Sequence, residues 1–282
     1  MNSKLLESKF IQMLEEDVGS GDITSRIIPR KIVRAEIIAN EECIISGIEE
    51  LRILFNLFDI KVLRSARDGE KIKRNQRVFL LSGNSHDILA VERTALNLLS
   101  RMSGISTTTK EFIEKVRKID SKIRVAATRK TTPLLRYFEK KAIMIAGGDT
   151  HRIGLYDAIL IKHNHLRLFN NLEDAIRKFK KEKSFIHKIE IEVDSVEKAV
   201  RAAREGVDVI MFDNMTMDEI REAISILKKE DLRDKVILEA SGGINLSNIE
   251  EYAKTGVDII SIGSSIYSAK PIDFSLRIVR CS

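Results

Sequence analysis

Basic side chains gather in residues 128–166, directly after two strand-like runs of the sequence. Arg129 and Lys130 follow the run IRVAAT, and Lys162 follows the apolar run AILI. A cation at the end of a buried strand must be kept hydrated or paired, so the simplest reason to place several there is an anionic ligand. Arginine offers a two-pronged donor to carboxylate or phosphate, and lysine offers a compact charge. We therefore predict a site for more than one anionic group, formed by Arg129, Lys130, His151, Arg152 and Lys162.

A second interpretation of these cations is structural. The same stretch holds Glu139, Asp149 and Asp157, and ion pairs with these acids would also account for the basic residues. For any single cation the two interpretations compete on equal terms. The position of the whole set at strand ends favours a ligand site.

Two carboxylates lie at the ends of later strand-like runs. Glu192 is the last but one residue of the run at 188–193, and Asp213 directly follows the run at 208–212. Carboxylates in such positions suit Mg²⁺ held jointly with a phosphorylated substrate, or the hydroxyls of a ribose. The alternative is that they neutralise Lys130 and Lys162, and the two roles are compatible.

The last two strand-like runs end in glycine and serine. Glycine lets backbone N–H groups approach a phosphate, and the N-terminus of a following helix adds a favourable dipole. The loops after the last strands of a (β/α) barrel are a common phosphate site, although simple turns would have the same composition. The predicted phosphate-binding residues are Ser241, Gly242, Gly243, Gly263 and Ser264.

The elements that must position these residues change character along the chain. The first 104 residues mix alternating strands with amphipathic helices, which is typical of an α+β region. From about residue 122, six continuously apolar strands alternate with amphipathic helices, a pattern of parallel strands covered by helices. Six such units favour an α/β fold of barrel or near-barrel type, whose function lies at the carboxyl ends of the strands. No GxGxxG motif opens a helix, so a dinucleotide-binding fold is not supported.

Composition excludes several other classes of protein. The chain has 282 residues, of which 43% are hydrophobic and 32% charged, as expected for a globular protein. Its net charge of +6 is scattered among acids and Trp is absent, so nucleic acid is not an expected partner. No apolar stretch would span a membrane, and the N-terminus does not resemble a signal peptide. Neither Cys43 nor Cys281 has metal-ligand spacing, and one possible pair is no disulfide framework, so we expect a reducing cytoplasm.

Seven segments together carry a resemblance to a known family. They are EDVGSGDIT (16–24), ERTALNLLSRMSGIST (92–107), TRKTTP (128–133), HRIGLYDAILIKHNH (151–165), IEIEVDS (189–195), FDN (212–214) and LEASGGI (238–244). In this order they resemble the quinolinate phosphoribosyltransferase family, the carboxylating nicotinate-nucleotide pyrophosphorylases of NAD biosynthesis. The resemblance runs over nearly the whole chain.

The resemblance implies a two-domain subunit. An α+β sandwich would comprise residues 1–106 and 270–282, and an open (β/α) barrel would comprise residues 107–269. It also implies a homodimer, or a higher oligomer, in which the N-terminal domain of one subunit closes the barrel mouth of the other.

The resemblance further implies a reaction and its residues. Phosphoribosyl diphosphate would react with quinolinate, giving nicotinate mononucleotide, diphosphate and CO₂ with Mg²⁺ as cofactor. Glu192 and Asp213 would hold the ribose hydroxyls and Mg²⁺, and Lys130 and Lys162 would face the phosphoribosyl diphosphate. The glycine-serine loops would bind the 5-phosphate. The quinolinate carboxylates would be bound by Arg129, His151, Arg152, Lys162 and, from the neighbouring subunit, Arg93.

Three positions depart from the family pattern. Leu134 replaces a usual glycine, Ala146 replaces the first glycine of a usual GGG and is followed by Gly147, Gly148 and Asp149, and His163 replaces a usual aspartate.

Other functions compete with the transferase. A paralogue of the same fold, of the molybdenum-transport-associated type, would act on a different base. A phosphate-binding barrel isomerase or lyase would need a general base without the excess of Arg and Lys. A non-catalytic binding protein of the NAD pathway would bind ligand without turnover.

Overall fold

Two compact units make up the protein, and the computed structural model describes residues 2–279. Unit 1 comprises Met1–Lys110, Pro133–Ala146 and Ala269–Ser282, and unit 2 comprises Glu111–Thr132 and Gly147–Ser268. The structure confirms the predicted class, with antiparallel strands in unit 1 and a parallel sheet in unit 2.

Unit 1 is built on a four-stranded antiparallel sheet in the order β12-β1-β5-β3, beside a small β2-β4 pair. The last strand, β12, pairs with the first strand, β1, along six residues. The strands are β1 (Ile32–Ala39), β2 (Cys43–Ile44), β3 (Lys61–Ser65), β4 (Lys71–Ile72), β5 (Arg77–Asn84) and β12 (Phe274–Val279). The helices are α1 (Ser3–Asp17), α2 (Ile48–Leu57), α3 (Ser85–Arg117), whose residues from Glu111 count with unit 2, and α4 (Arg136–Ile145).

Unit 2 contains all six predicted parallel strands, in the order β6-β11-β10-β9-β8-β7. β6 and β7 form the two ends of this order, so the barrel is open. The strands are β6 (Arg124–Ala127), β7 (Ile159–Ile161), β8 (Ile189–Val193), β9 (Val209–Asp213), β10 (Ile237–Ser241) and β11 (Ile259–Ile262). The helical segments are α5 (His163–Leu166), α6 (Leu172–Glu182), α7 (Val196–Arg204), α8 (Met217–Lys229), a 3₁₀ turn (Arg233–Lys235), α9 (Ile249–Ala253) and α10 (Ser264–Tyr267).

The two faces of each strand in unit 2 have different surroundings. In β8, Ile189, Ile191 and Val193 pack into the main hydrophobic core. Successive side chains of a strand point to opposite faces, so Glu190 and Glu192 lie on the other face. β9 and β10 repeat this alternation, with Ile210, Phe212, Leu238 and Ala240 in the same core. The sequence therefore directs a row of polar side chains away from the core at the carboxyl ends of the strands.

Residues 133–146 belong to unit 1, whereas the predicted domain boundaries placed them in the barrel domain. α4 carries a buried face that packs on other parts of unit 1. The Glu139 carboxylate is fully buried and accepts hydrogen bonds from Arg101 at 2.8 and 3.0 Å. Ser106 donates to the Ala142 carbonyl, and Tyr137 donates to Glu50. The amphipathic pattern of α4 predicts a buried face but cannot specify the surface that covers it.

Two further predictions from composition concern membranes and cysteines. No helix within residues 2–279 is long and apolar enough to cross a membrane. Cys43 is a free, buried thiol, and burial raises its pKa to about 12, so it stays protonated and unreactive near neutral pH. Cys281 lies outside the described residues.

Candidate active site

A cavity of about 500 Å³ opens at the carboxyl ends of the strands of unit 2. It brings together ten of the thirteen predicted site residues, drawn from five strand ends and the loop before β7. Those ten are Arg129, Lys130, His151, Arg152, Lys162, Glu192, Asp213, Ser241, Gly242 and Gly243. The other lining residues are Ala127, Thr128, Leu160, Met211, Asn214, Glu239 and Ser261.

Arg129 and Lys130 line the cavity directly after β6. The Nε of Arg129 is buried and has no hydrogen-bond partner within residues 2–279. A buried donor without a partner costs free energy, so this atom favours an acceptor in the cavity. Lys130 is exposed, and its Nζ lies 5.9 Å from the centre of the Tyr267 ring, at the outer range of a cation–π contact.

Arg152 is a buried cation of the same cavity, with only 8% of its surface exposed. Burial lowers the pKa of Arg152, and the neighbouring charge of Arg129 lowers it further. Two guanidinium groups this close repel each other in a poorly hydrated site. An anionic ligand would relieve that repulsion.

His151 is held at both ring nitrogens by groups of the protein. Its Nε2 lies 3.2 Å from Glu190 and 3.5 Å from Glu239, and its Nδ1 accepts the Arg152 backbone N–H at 2.7 Å. The Asp149 carboxylate accepts the His151 backbone N–H at 2.7 Å, in a turn where His151 has φ 50°. Asp149 is itself paired with β6 through backbone hydrogen bonds. The ring is therefore directed toward buried carboxylates.

Opposing effects act on the charge of His151. Burial alone would lower its pKa, but the contacts with Glu190 and Glu239 outweigh burial and raise the pKa of His151 above its usual range. The Arg152 N–H directed at Nδ1 opposes this effect, because a doubly protonated ring has no lone pair at Nδ1 to accept it. The contact at Nδ1 belongs to the neutral ring, in which Nε2 carries the proton and donates to Glu190. Burial in turn raises the pKa of Glu190 above its usual range, while His151 lowers it.

Glu192 and Asp213 face the cavity from β8 and β9. The Glu192 carboxylate accepts a hydrogen bond from the Lys162 ammonium, which realises the predicted charge neutralisation. Across the sheet, Glu192 and Glu239 are both in register with Met211. Mg²⁺ prefers oxygen ligands and keeps several of its waters, so two carboxylates at the edge of an open cavity fit this ion.

A second group of side chains could hold a metal ion. His151, Glu190 and Glu239 offer ligand atoms that all lie within 4.8 Å of one another. A histidine nitrogen suits a transition metal better than Mg²⁺. The group therefore does not fit the ion that the resemblance implies.

The glycine-serine loop after β10 is shaped by close backbone approach. Gly242 has φ 92°, and a Cβ there would lie 2.4 Å from the Asn214 amide oxygen. Gly243 has φ 63° and open space around it. Ser241 is paired with Asp213 across the sheet, so the predicted phosphate loop and the predicted acidic pair are adjacent.

Gly263, Ser264 and Arg93 are the predicted site residues that do not line the cavity. Gly263 lies beside it, because a Cβ there would come within 3.0 Å of the Lys130 stem. The Ser264 hydroxyl donates to the Ile244 carbonyl at 3.3 Å. Arg93 is an exposed residue of α3 in unit 1, and its charge lowers the pKa of the neighbouring Glu92, which burial raises.

The structure also adds residues that sequence reasoning did not select. Glu239 and Asn214 line the cavity, and Glu190 contacts His151 from below it. A signal for Glu239 was present, since it lies two residues before Ser241 in an apolar strand and therefore faces the same side. Glu190 lies within a strand and not at its end, and that position brings it to His151.

Leu134, Asp149 and His163, which lie at the departures from the family pattern, have distinct local surroundings. Leu134 has φ 67°, a left-handed conformation that favours the glycine usual there. Asp149 holds the turn before His151, as described above. His163 begins α5, and its Nε2 lies 3.1 Å from the Nε of Arg167.

The fold and the cavity define a class: an open (β/α)-barrel protein with a cationic, glycine-lined site for anionic ligands. Two family models identify the family within this class. The model described as "Quinolinate phosphoribosyl transferase, N-terminal domain" matches residues 22–103, and the one described as "Quinolinate phosphoribosyl transferase, C-terminal domain" matches residues 105–277. The chain belongs to the quinolinate phosphoribosyl transferase family.

Relatives and solved structures agree with this assignment. The chain is 45% identical over 269 residues to the "Probable nicotinate-nucleotide pyrophosphorylase (carboxylating)" of Methanothermobacter thermautotrophicus, covering 95% of this chain and 96% of that protein. It is 31% identical over 265 residues to the nicotinate-nucleotide pyrophosphorylase (carboxylating) of Rattus norvegicus, covering 94% and 88%. The structure of the nicotinate-nucleotide pyrophosphorylase from Francisella tularensis has a TM-score of 0.92 at 35% identity, covering 99% and 98% of the two chains.

Proposed function

We propose that this protein is a quinolinate phosphoribosyltransferase that forms nicotinate mononucleotide, diphosphate and CO₂ in the cytoplasm. Family membership supports the reaction. The observation that carries it is the buried Nε of Arg129, which has no hydrogen-bond partner among the described residues and lies at a cavity shared with Arg152, Lys130 and Lys162. A dicarboxylate and a diphosphate together supply the anionic groups that so many cations require.

Binding and orientation are the main tasks of the side chains in this proposal. Arg129 and Arg152 hold the carboxylates of quinolinate so that the pyridine nitrogen faces C1 of the phosphoribosyl group. The new N–C1 bond forms as the C1–O bond to diphosphate breaks, and diphosphate leaves with that electron pair. Glu192 and Asp213 lie where positive charge develops at C1, and preorganised charges of this kind lower the barrier of the reaction.

Loss of CO₂ needs little further help from the protein. Ribosylation makes the ring nitrogen cationic, and the adjacent carbon then accepts the electron pair that CO₂ leaves behind. A proton replaces the carboxylate on that carbon. The remaining carboxylate stays with the arginines and keeps the product oriented.

Mg²⁺ is the proposed cofactor, held by Glu192 and Asp213 together with the phosphorylated substrate. When bound, it would neutralise charge on the departing diphosphate. Lys162 already pairs with Glu192, so the lysine and the ion would share that carboxylate.

The direct test is to supply the protein with phosphoribosyl diphosphate and Mg²⁺, adding quinolinate or nicotinate in separate reactions. We expect mononucleotide and an equal amount of CO₂ from quinolinate, and no product from nicotinate. A chelator should abolish turnover, and added Mg²⁺ should restore it. Absence of product from quinolinate would favour the paralogue that acts on another base.

We further propose that the protein is a homodimer whose active site is completed by Arg93 from a second copy. The exposure of Arg93 on α3 supports this, since an exposed arginine is free to reach a neighbour. Arg93→Ala and Lys130→Ala are each expected to be inactive alone. Co-expression should restore activity, because random pairing leaves about one quarter of the sites intact in a symmetric dimer.

The matched control is co-expression of Lys130→Ala with Arg129→Ala. These two residues belong to the same barrel, so every site in a mixed dimer lacks one of them. Restored activity in this control, or none in the Arg93 mixture, would contradict a shared site.

A further inference from the structure

The two most deeply buried carboxylates at the candidate site are Glu239, which lines the cavity, and Glu190, which contacts His151. Glu190 is 5% exposed and Glu239 is 1% exposed. Neither is needed by the mechanism above. A buried carboxylate is costly unless it is paired, so each must be compensated by a specific contact.

The side chain that both carboxylates contact is His151. Glu190 places its oxygens 3.2 and 3.3 Å from Nε2, and Glu239 places one oxygen at 3.5 Å. The other Glu239 oxygen is buried and has no hydrogen-bond partner among the described residues. Both acids therefore act on the same ring nitrogen of the imidazole.

The opposite end of the imidazole fixes the backbone of a ligand-binding residue. Nδ1 of His151 accepts the N–H of Arg152 at 2.7 Å. His151 itself is held by Asp149, which is joined to β6. A continuous set of contacts thus runs from the buried glutamates through the imidazole to the main chain of Arg152.

We propose that Glu190 and Glu239 are positioning residues: they orient His151, and through its ring the Arg152 main chain, so that the guanidinium meets a carboxylate of quinolinate. This rests on the proposed function. The glutamates determine affinity for the dicarboxylate without touching it.

The test uses Glu190→Gln and Glu239→Gln, which keep the side-chain shape and remove the charge. Each is expected to raise KM for quinolinate by about tenfold or more, because small displacements of a binding group have effects of this size. KM for phosphoribosyl diphosphate should stay within about twofold. The matched control is Glu222→Gln, which changes an exposed glutamate of α8.

A double-mutant cycle with His151→Ala identifies the route of the effect. If the glutamates act through the imidazole, Glu239→Gln should have no further effect on KM for quinolinate once His151 is alanine. An equal loss in both backgrounds would overturn the proposal. So would unchanged KM in both glutamine variants, or equal increases in the KM values of both substrates.

The ring ¹⁵N signals of His151 give a measurement that does not depend on turnover. In protein labelled at histidine, Glu190→Gln and Glu239→Gln should shift these signals, whereas Glu222→Gln should not. Unshifted signals would overturn the contact. Shifted signals in a protein that does not convert quinolinate would instead overturn the proposed reaction and leave the contact standing.

Discussion

Replacing Lys130 with alanine is expected to lower kcat/KM by about 10²- to 10³-fold while leaving the free energy of unfolding nearly unchanged. Lys130 is exposed at the end of β6 and lines the cavity. Its stem lies against Gly263, so the ammonium is directed by packing. In the proposed reaction, negative charge develops on the leaving diphosphate, and loss of a preorganised cation removes stabilisation of that charge. Steady-state kinetics and chemical unfolding measure the two quantities.

Two companion variants separate the charge of Lys130 from its stem. Lys130→Met keeps most of the stem and loses the ammonium, so it should be as impaired as the alanine variant. Lys228→Ala removes an exposed lysine of α8 and serves as the control for loss of one positive charge from the surface. A Lys130→Met variant with kcat/KM within about threefold of the wild-type value would contradict an electrostatic role.

The barrel was predictable because its strands carry an unambiguous pattern. Runs such as 188–193 and 235–240 place glutamate among apolar residues, and each run is followed by a polar residue. Parallel strands present their carboxyl ends at one edge, so the residues that follow these runs had to meet. Glu192 and Asp213, twenty-one positions apart in the chain, line the same cavity for that reason.

The orientation of individual side chains could not be predicted from the sequence. His151 could have faced the cavity as a cation, and only its turn, with φ 50° and a bond to Asp149, directs the ring to the buried glutamates. Glu190 lies within a strand, whereas the sequence analysis selects residues at strand ends. Its partner is 39 positions away, and no local pattern reports such a contact.

Packing between segments that are distant in the chain could not be predicted from the sequence either. The amphipathic character of α4 indicates a buried face, but the burial of Glu139 against Arg101 depends on a contact 38 positions along the chain. Residues 133–146 therefore look like part of a regular strand–helix repeat and yet cluster with unit 1. Local periodicity predicts elements, whereas the choice of neighbour is decided by surfaces that lie far apart in the sequence.

Gly242→Ala is expected to reduce the free energy of unfolding by about 2–4 kcal/mol, from left-handed strain and overpacking together. At φ 92° an added Cβ would lie 2.4 Å from the Asn214 amide oxygen and 2.7 Å from its backbone nitrogen. Backbone atoms cannot yield as a flexible side chain can, so the loop after β10 must move. Displacement of the loop that is predicted to bind the 5-phosphate should also raise KM for phosphoribosyl diphosphate by at least about tenfold.

Gly243→Ala separates these two consequences, because the neighbouring glycine has the same left-handed backbone with open space beside it. Its cost in stability should be about 1 kcal/mol, the conformational penalty alone. If phosphate occupies the open space, the methyl group at position 243 will still raise KM for phosphoribosyl diphosphate although the fold is nearly intact. Unchanged KM in Gly243→Ala would place the 5-phosphate elsewhere. Wild-type stability in Gly242→Ala would mean that contact with Asn214 does not constrain the loop, so steric fit and phosphate recognition are tested by adjacent residues.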